Sequence, residues 1–361
     1  MLSRPFPAYE RANYGTRHRK YCTLKNAQNL GRNTFGVGIA SDRPGCKILA
    51  NERDSVTTSS GGMIPAELAK HHFRVANQVV RSAMQKAGAS WKDIDVICFA
   101  QGPGIGGALK VGALFARVLA QKYKKPLLGV NHAVAHIEIG KALTLVKDPI
   151  VVYASGGNTQ VIGLQEKVYR VFGETLDIGI GNLFDSFGRE LGLGFPAGPK
   201  LDEMYFEGKK LIELPYTVKG MDLAFSGLLT SAKKLVGKER AEDLAYSVLH
   251  TSLCELTEVV ERALAHTGKE AVLVVGGVAA SKAFAQMLNE MGKERGVKIA
   301  IPPKEAVMDN GAMIAWLGLL MREAGVRQKM EETKINQRFR VDQVEVRWQQ
   351  VWEKKRKRLL Q

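Results

Sequence analysis

Apolar and polar positions along the chain fall into two successive patterns, each opening with strands and continuing as strand–helix alternation. Residues 35–41 read as a strand, 46–51 as a second, and Asp42 to Gly45 as the turn joining them. Residues 64–86 carry helical spacing, 94–100 a short continuous apolar run, 107–122 a helix, 126–130 a strand and 132–145 a helix. The pattern then restarts. Residues 149–154 and 159–163 predict paired strands about a tight turn, and 167–172 a third. Helices are expected at 183–191, 223–236, 240–266, 281–292 and 309–324, with strands at 271–275 and 297–301. Meanders followed by alternation, met twice, predict two α/β lobes with mixed sheets. The expected division is a first lobe over 34–148 and a second over 149–348. An irregular basic segment at 1–33 and a basic tail at 349–361 flank them.

A length of 361 residues suits two domains better than one core, and 45% hydrophobic with 24% charged residues is a globular balance. No apolar run is long enough to span a bilayer, and residues 1–33 lack the apolar core of a secretory signal. The four cysteines are widely spaced, without a C-x-x-C pair, which predicts reduced thiols in a cytoplasmic protein. Formal charge is +16 and is concentrated at the ends. Residues 1–33 hold seven Lys/Arg and one acid; residues 321–361 hold twelve and six. A polyanionic partner and a merely solubilising surface both account for that.

Three constellations bear on chemistry. His132 and His136 are four apart on a predicted helix that follows an apolar strand, so both imidazoles reach one side and one metal ion. Ala133 stands where a zincin would have its catalytic Glu. Taken alone, the spacing more often marks a structural pair; its place at the carboxyl end of a strand, where α/β sheets hold ligands, shifts it toward a site. In the run Tyr153-Ala154-Ser155-Gly156-Gly157-Asn158-Thr159, the glycine pair is either a hairpin turn or a loop whose backbone N–H groups approach phosphate, with Ser155 and Thr159 adding hydroxyls. Gly276 and Gly277 end a buried strand before a helix that Ser281 opens, and Asp309 begins a later helix as a cap or a metal ligand. There is no Walker A lysine motif and no G-x-S-x-G elbow. Phosphate loops and a metal pair in one interlobe cleft suit phosphate or adenylate chemistry.

Long blocks in one order go further than these motifs. They are GGMIPAELAKHH at 61–72, AQGPGIG at 100–106, GVNHAVAHIE at 129–138, SGGNTQ at 155–160, FGETLDIGIGN at 172–182, PYTVKGMDLAFSGLL at 215–229 and RFRVDQVEVRW at 338–348. The sequence closely resembles the archaeal and eukaryotic tRNA threonylcarbamoyladenosine synthases, the catalytic subunits of KEOPS complexes. The resemblance implies a two-lobed actin/hexokinase/Hsp70-like fold. It implies transfer of a threonylcarbamoyl group from threonylcarbamoyl-adenylate to the amine of the tRNA adenosine following the anticodon. It implies a metal, iron or zinc, on His132, His136, Tyr153 and Asp309, with Tyr153, Ala154, Ser155, Gly156 and Gly157 at the phosphates. Asp185, Gly198, Asp202 and Ser281 would lie at the nucleoside, with ATP as an alternative ligand. Expected partners are tRNA and KEOPS-type subunits: a small kinase-like, a dimerising and a tRNA-binding protein. The same resemblance sets Asp185 against a plain surface acid and Gly198, between Pro196 and Pro199, against a plain turn.

The chain departs from the family at its start. Relatives carry an acidic residue and small hydroxylated residues in a first phosphate loop; here Asn29 to Asn33 supply no acid and Thr34 alone matches. Ser281 stands where Asn is usual, and Ser186 where Lys is often found. That leaves a second reading, a catalytically weakened scaffold or tRNA-binding subunit of the same complex. A metalloprotease is disfavoured by Ala133, and a small-molecule kinase by the His pair and the family blocks.

Overall fold

The computed structural model describes residues 20–29, 32–41, 46–56, 65–303, 306 and 308–360. The first sheet contains β1 (Lys20–Asn29), β2 (Arg32–Ser41), β3 (Lys47–Val56), β4 (Ile94–Gly102) and β5 (Leu127–Asn131), in the order β3-β2-β1-β4-β5. The first three form an antiparallel meander, while β1, β4 and β5 run parallel. Helices α1 (Pro65–Lys86) and α2 (Gly106–Lys122) make the crossovers. After α3 (His132–Thr144) the same plan recurs. Strands β6 (Ile150–Ala154), β7 (Thr159–Gln165) and β8 (Val168–Glu174) form a meander, with two later strands parallel to β6 on its other side. The later strands are numbered after a short ribbon of β9 (Val218–Lys219) and β10 (Asp222–Leu223); they are β11 (Ala271–Val275) and β12 (Lys298–Ala300). The second order, β8-β7-β6-β11-β12, matches the first position by position. Between the meander and β11 lie α4 (Ile180–Glu190), α5 (Gly198–Tyr205), α6 (Ser226–Lys233) and α7 (Ala241–Thr267). Helix α8 (Lys282–Arg295) joins β11 to β12, and α9 (Gly311–Glu323) and α10 (Gln349–Leu360) follow.

Sequence dictates these layers directly. Strands β5, β6 and β11 are buried at every position, as expected of parallel strands covered on both faces. In β2 the period is two: Phe35, Val37 and Ile39 join Ala76 and Val79 of α1 in one core, while Gly38 turns to α9. A Cβ on Gly38 would lie 2.2 Å from the Ala312 nitrogen, and one on Gly318 2.1 Å from Cys98 Sγ. Glycine at both positions therefore lets α9 seat directly on the sheet.

Three expectations are corrected. The segment before residue 34 is not irregular throughout, because Lys20–Asn29 is the central strand of the first sheet. Its polar sequence shows no period; the strand state comes from ladders on both sides rather than its own pattern. The basic tail is a helix with Trp352 buried against Trp316. Five Lys/Arg within 349–360 conceal that anchor in the sequence. Finally, the chain beyond the division near residue 148 returns to the first lobe. Helix α9 lies on β2 and β4, and residues 328–340 strap the ends of β4 and β5. Asn336 N–H donates to Gln101 O at 2.8 Å, Arg117 Nη2 to Thr333 O at 2.7 Å, and Asn131 Nδ2 to Phe339 O at 2.8 Å. The turn expected at 42–45 lies outside the described residues. Among the described residues, no helix is long and apolar enough to cross a membrane.

Candidate metal and phosphate site

Asn131 ends β5 and caps α3, its side chain accepting from Val134 N–H at 3.1 Å. The cap fixes where α3 begins, and the helical repeat then puts His132 and His136 one turn apart, with ring centroids 4.9 Å apart. Asp309 arrives from the loop after β12. Its Oδ1 lies 2.8 Å from His136 Nε2 and 3.1 Å from His132 Nε2. One ligand atom from each residue fits within a cluster 4.8 Å across, and all three residues are buried. The helix cap is Asn310, whose side chain accepts from Met313 N–H at 2.9 Å. Asp309 is therefore not the cap, and its carboxylate lies against the two histidines.

The fourth expected ligand, Tyr153, sits at the end of β6 with its ring 5.5 Å from that of His136. It is 2% exposed. Burial, then the Asp309 carboxylate, raises its phenol above the ordinary range, so the hydroxyl keeps its proton unless a cation offsets both effects. Among the described residues, His132 Nε2 has no hydrogen bond of good geometry despite its burial. Two imidazole nitrogens, a carboxylate and a phenol oxygen, buried together, are a donor set that fits iron or zinc.

Beyond Tyr153 the chain turns through Ser155 to Asn158. Ser155 N–H donates to Asn158 O at 2.8 Å, closing the turn. The turn packs on the start of α4, where Asn182 N–H donates to Gly156 O at 3.0 Å. A Cβ on Gly181 would come within 2.8 Å of Gly156 Cα. Thr159 is fully buried, and its hydroxyl accepts from Ile180 N–H at 2.8 Å, tying β7 to the start of α4. The other glycine joint is adjacent. Gly276 has φ of +93°, and a Cβ there would lie 2.3 Å from Ala154 O. Both glycine loops thus meet at the carboxyl ends of β6 and β11, beside the His–His–Asp cluster.

A family model described as TsaD, tRNA N6-adenosine threonylcarbamoyltransferase, matches residues 47–316. The chain is 54% identical over 317 residues to the tRNA N6-adenosine threonylcarbamoyltransferase of Thermococcus kodakarensis, covering 87% of this chain and 96% of the relative. The chain belongs to this family. Against the enzyme of the same name from Saccharolobus islandicus, identity is 49% over 319 residues, 87% of this chain and 96% of that one. Solved structures share the fold alone. HypF from T. kodakarensis gives a TM-score of 0.57 at 17% identity, over 87% of this chain and 49% of HypF. An activator of 2-hydroxyisocaproyl-CoA dehydratase from Clostridium difficile gives 0.50 at 12%, over 86% and 99%. The fold is therefore the two-lobed actin/hexokinase-like one, and the protein is a transferase acting on tRNA.

In the transferase, the residues expected at the nucleoside are linked through the starts of two helices. Asp185 Oδ1 accepts from Ala197 N–H at 2.9 Å, just before Gly198 opens α5. Asp202, 8% exposed, accepts from Ser281 Oγ at 2.5 Å, Lys282 N–H at 2.9 Å and Ala283 N–H at 3.1 Å. Asp202 thus caps α8 together with Ser281, whose hydroxyl also accepts from Phe284 N–H at 3.1 Å. Other residues escaped notice in the sequence. Asn51 Oδ1 accepts from Gly311 N–H at 3.0 Å and positions the start of α9, two residues beyond Asp309. Under α3, Tyr169 donates to Glu138 at 2.6 Å, and Lys141 Nζ reaches Glu138 Oε2 at 3.1 Å and the Tyr169 hydroxyl at 3.2 Å. Glu138 lies inside the His132–His136 block, and only its helical phase hinted at an inward carboxylate.

Proposed function

We propose that the protein transfers the threonylcarbamoyl group of threonylcarbamoyl-adenylate to the exocyclic amine of the tRNA adenosine following the anticodon. His132, His136, Tyr153 and Asp309 would hold one metal ion, iron or alternatively zinc. The observation carrying this reading is the buried convergence of both histidines with Asp309 beside a glycine-lined turn. A bound cation supplies Lewis-acid polarisation of an acyl or phosphoryl oxygen. The chain's own part is binding and alignment. Tyr153 to Gly157 face the phosphate, and Asp185, Gly198, Asp202 and Ser281 frame the nucleoside. An adenylate already carries its leaving group, so orientation of a weakly nucleophilic amine accounts for much of the rate.

Work within a KEOPS-type assembly in the cytoplasm belongs to the same proposal. It is supported by Phe73 of α1 and Leu114 and Val118 of α2, apolar side chains that are each at least half exposed. They suit docking of a partner such as the dimerising subunit; the kinase-like and tRNA-binding subunits would complete the complex.

The test is metal analysis of the purified protein, with transfer to unmodified tRNA from supplied adenylate and partner subunits. The His132→Ala, His136→Ala double variant is the control. Stoichiometric metal and transfer, both lost in the variant, is the expected result. Transfer that survives in the variant would refute the metal role. Metal without transfer would favour the scaffold reading suggested by the altered first loop.

A further inference from the structure

Helix α10 carries an apolar anchor on one side and three exposed cations on the other. Trp352 is 1% exposed, edge-on to Trp316 at 6.4 Å, with Lys141 Nζ 6.0 Å from its ring. On the same side Arg356 Nε donates to Leu145 O at 2.9 Å, and Lys355 pairs with Glu323 at 3.1 Å. At 100° per residue, Lys354, Lys357 and Arg358 fall on the opposite side, and all three are exposed. Among the described residues none of the three makes an ion pair; the nearby acids Glu323 and Glu353 serve Lys355 and Arg356. Two further exposed lysines lie near residues that this helix contacts or influences. Lys47 follows Cys46, which lies within the field of Lys355, and Lys147 follows the Leu145 carbonyl that Arg356 holds.

We infer that this outer face, Lys354, Lys357 and Arg358, contacts the phosphate backbone of the tRNA substrate outside the catalytic cleft. The inference rests on the tRNA substrate that the family implies. Three uncompensated cations on a rigid helix hold like charges together at a repulsive cost, which a polyanion relieves. The helix has committed Trp352 to the core and leaves Leu360 at its end as its one large exposed apolar side chain, too little to insert between lipids. A hydrated polyanion therefore fits this face better than a membrane. The contact is to phosphate only and confers no base preference.

The test compares the full-length protein with its K354Q/K357Q/R358Q variant in filter binding of unmodified tRNA between 50 and 200 mM salt. Losing three phosphate contacts lowers the slope of log K against log salt by about 2–3 and weakens binding roughly tenfold or more at 50 mM. KM for tRNA should rise while kcat, metal content and melting temperature stay fixed. A K354R/K357R/R358K variant should bind as wild type does. Unchanged slope and affinity in the neutral variant would overturn the inference, as would equal losses in both variants. So would retained tRNA binding with loss of flotation on phosphatidylserine vesicles. A wild-type protein that fails to bind tRNA even at 50 mM salt would instead sink the substrate reading beneath it.

Discussion

Lys141→Met should be among the more damaging single changes outside the metal cluster. Glu138 is 0% exposed and Lys141 4%, and the two meet Tyr169 inside the core under α3. Burial, then the Glu138 carboxylate, raises the Tyr169 phenol far above its ordinary range, so Tyr169 is a neutral donor that cannot replace the ammonium. Removing Lys141 leaves a carboxylate buried with one hydroxyl, and breaking such a pair costs about 3–5 kcal/mol. For 361 residues the unfolding entropy is roughly 0.8 kcal/mol per degree, so the melting temperature should fall by about 4–7 °C. Replacing the whole set with apolar residues, as Glu138→Leu, Lys141→Met, Tyr169→Phe, removes the orphaned charge and should return stability to within about 1 kcal/mol of wild type. Calorimetry, with tryptophan fluorescence reporting on Trp316 and Trp352, measures both variants. If the single variant melts like wild type, or the triple is worse than the single, the charge-burial argument fails.

Further outcomes follow from other contacts. Gly38→Ala should cost about 2–3 kcal/mol by pushing α9 from β2, and should lower metal occupancy because Asp309 lies just before that helix; urea unfolding and metal analysis read the two effects. Asp202→Ala should destabilise by about 1–2 kcal/mol through loss of the α8 cap; nucleotide affinity that falls with unchanged stability would show a direct ligand contact instead. Burial raises Glu255 from 4.5 to about 7, against an opposing hydrogen bond from Thr217 N–H. The folded state then holds the proton longer than the unfolded one. Stability from this group is fully present below about pH 4.5 and is lost as pH rises through about 7. Glu255→Gln should flatten the stability profile across that window, and an unchanged profile would exclude this residue as its source.

Much of the site was legible because strand–helix joints announce themselves. A continuous apolar run ending in Asn131 and a histidine pair fixes β5, the cap and the helical face in a few residues. The same holds for β6 with its glycine turn and for β11. What stayed hidden depended on partners distant in sequence. Strand β1 has no period of its own and exists between β2 and β4. Trp352 looked like part of a charge run until Trp316, 36 positions earlier, gave it a core to enter. On propensity alone Asp and Asn cap a helix equally well, so the sequence does not favour Asn310 over Asp309. The bond from Met313 N–H to Asn310 and the approach of α3 to Asp309 separate their positions, and no local pattern encodes that approach.

His136 and Asp309 stand 173 residues apart in the chain. Closing a loop of that length costs about 4.6 kcal/mol in chain entropy beyond the constant term. During synthesis at roughly 5–20 residues per second, the histidine pair precedes the aspartate by about 9–35 s. Over that interval the nascent chain carries two imidazoles without their carboxylate. The cluster therefore comes together only after the strands of the second sheet have been made, with α9, the 328–340 strap and α10 still to follow.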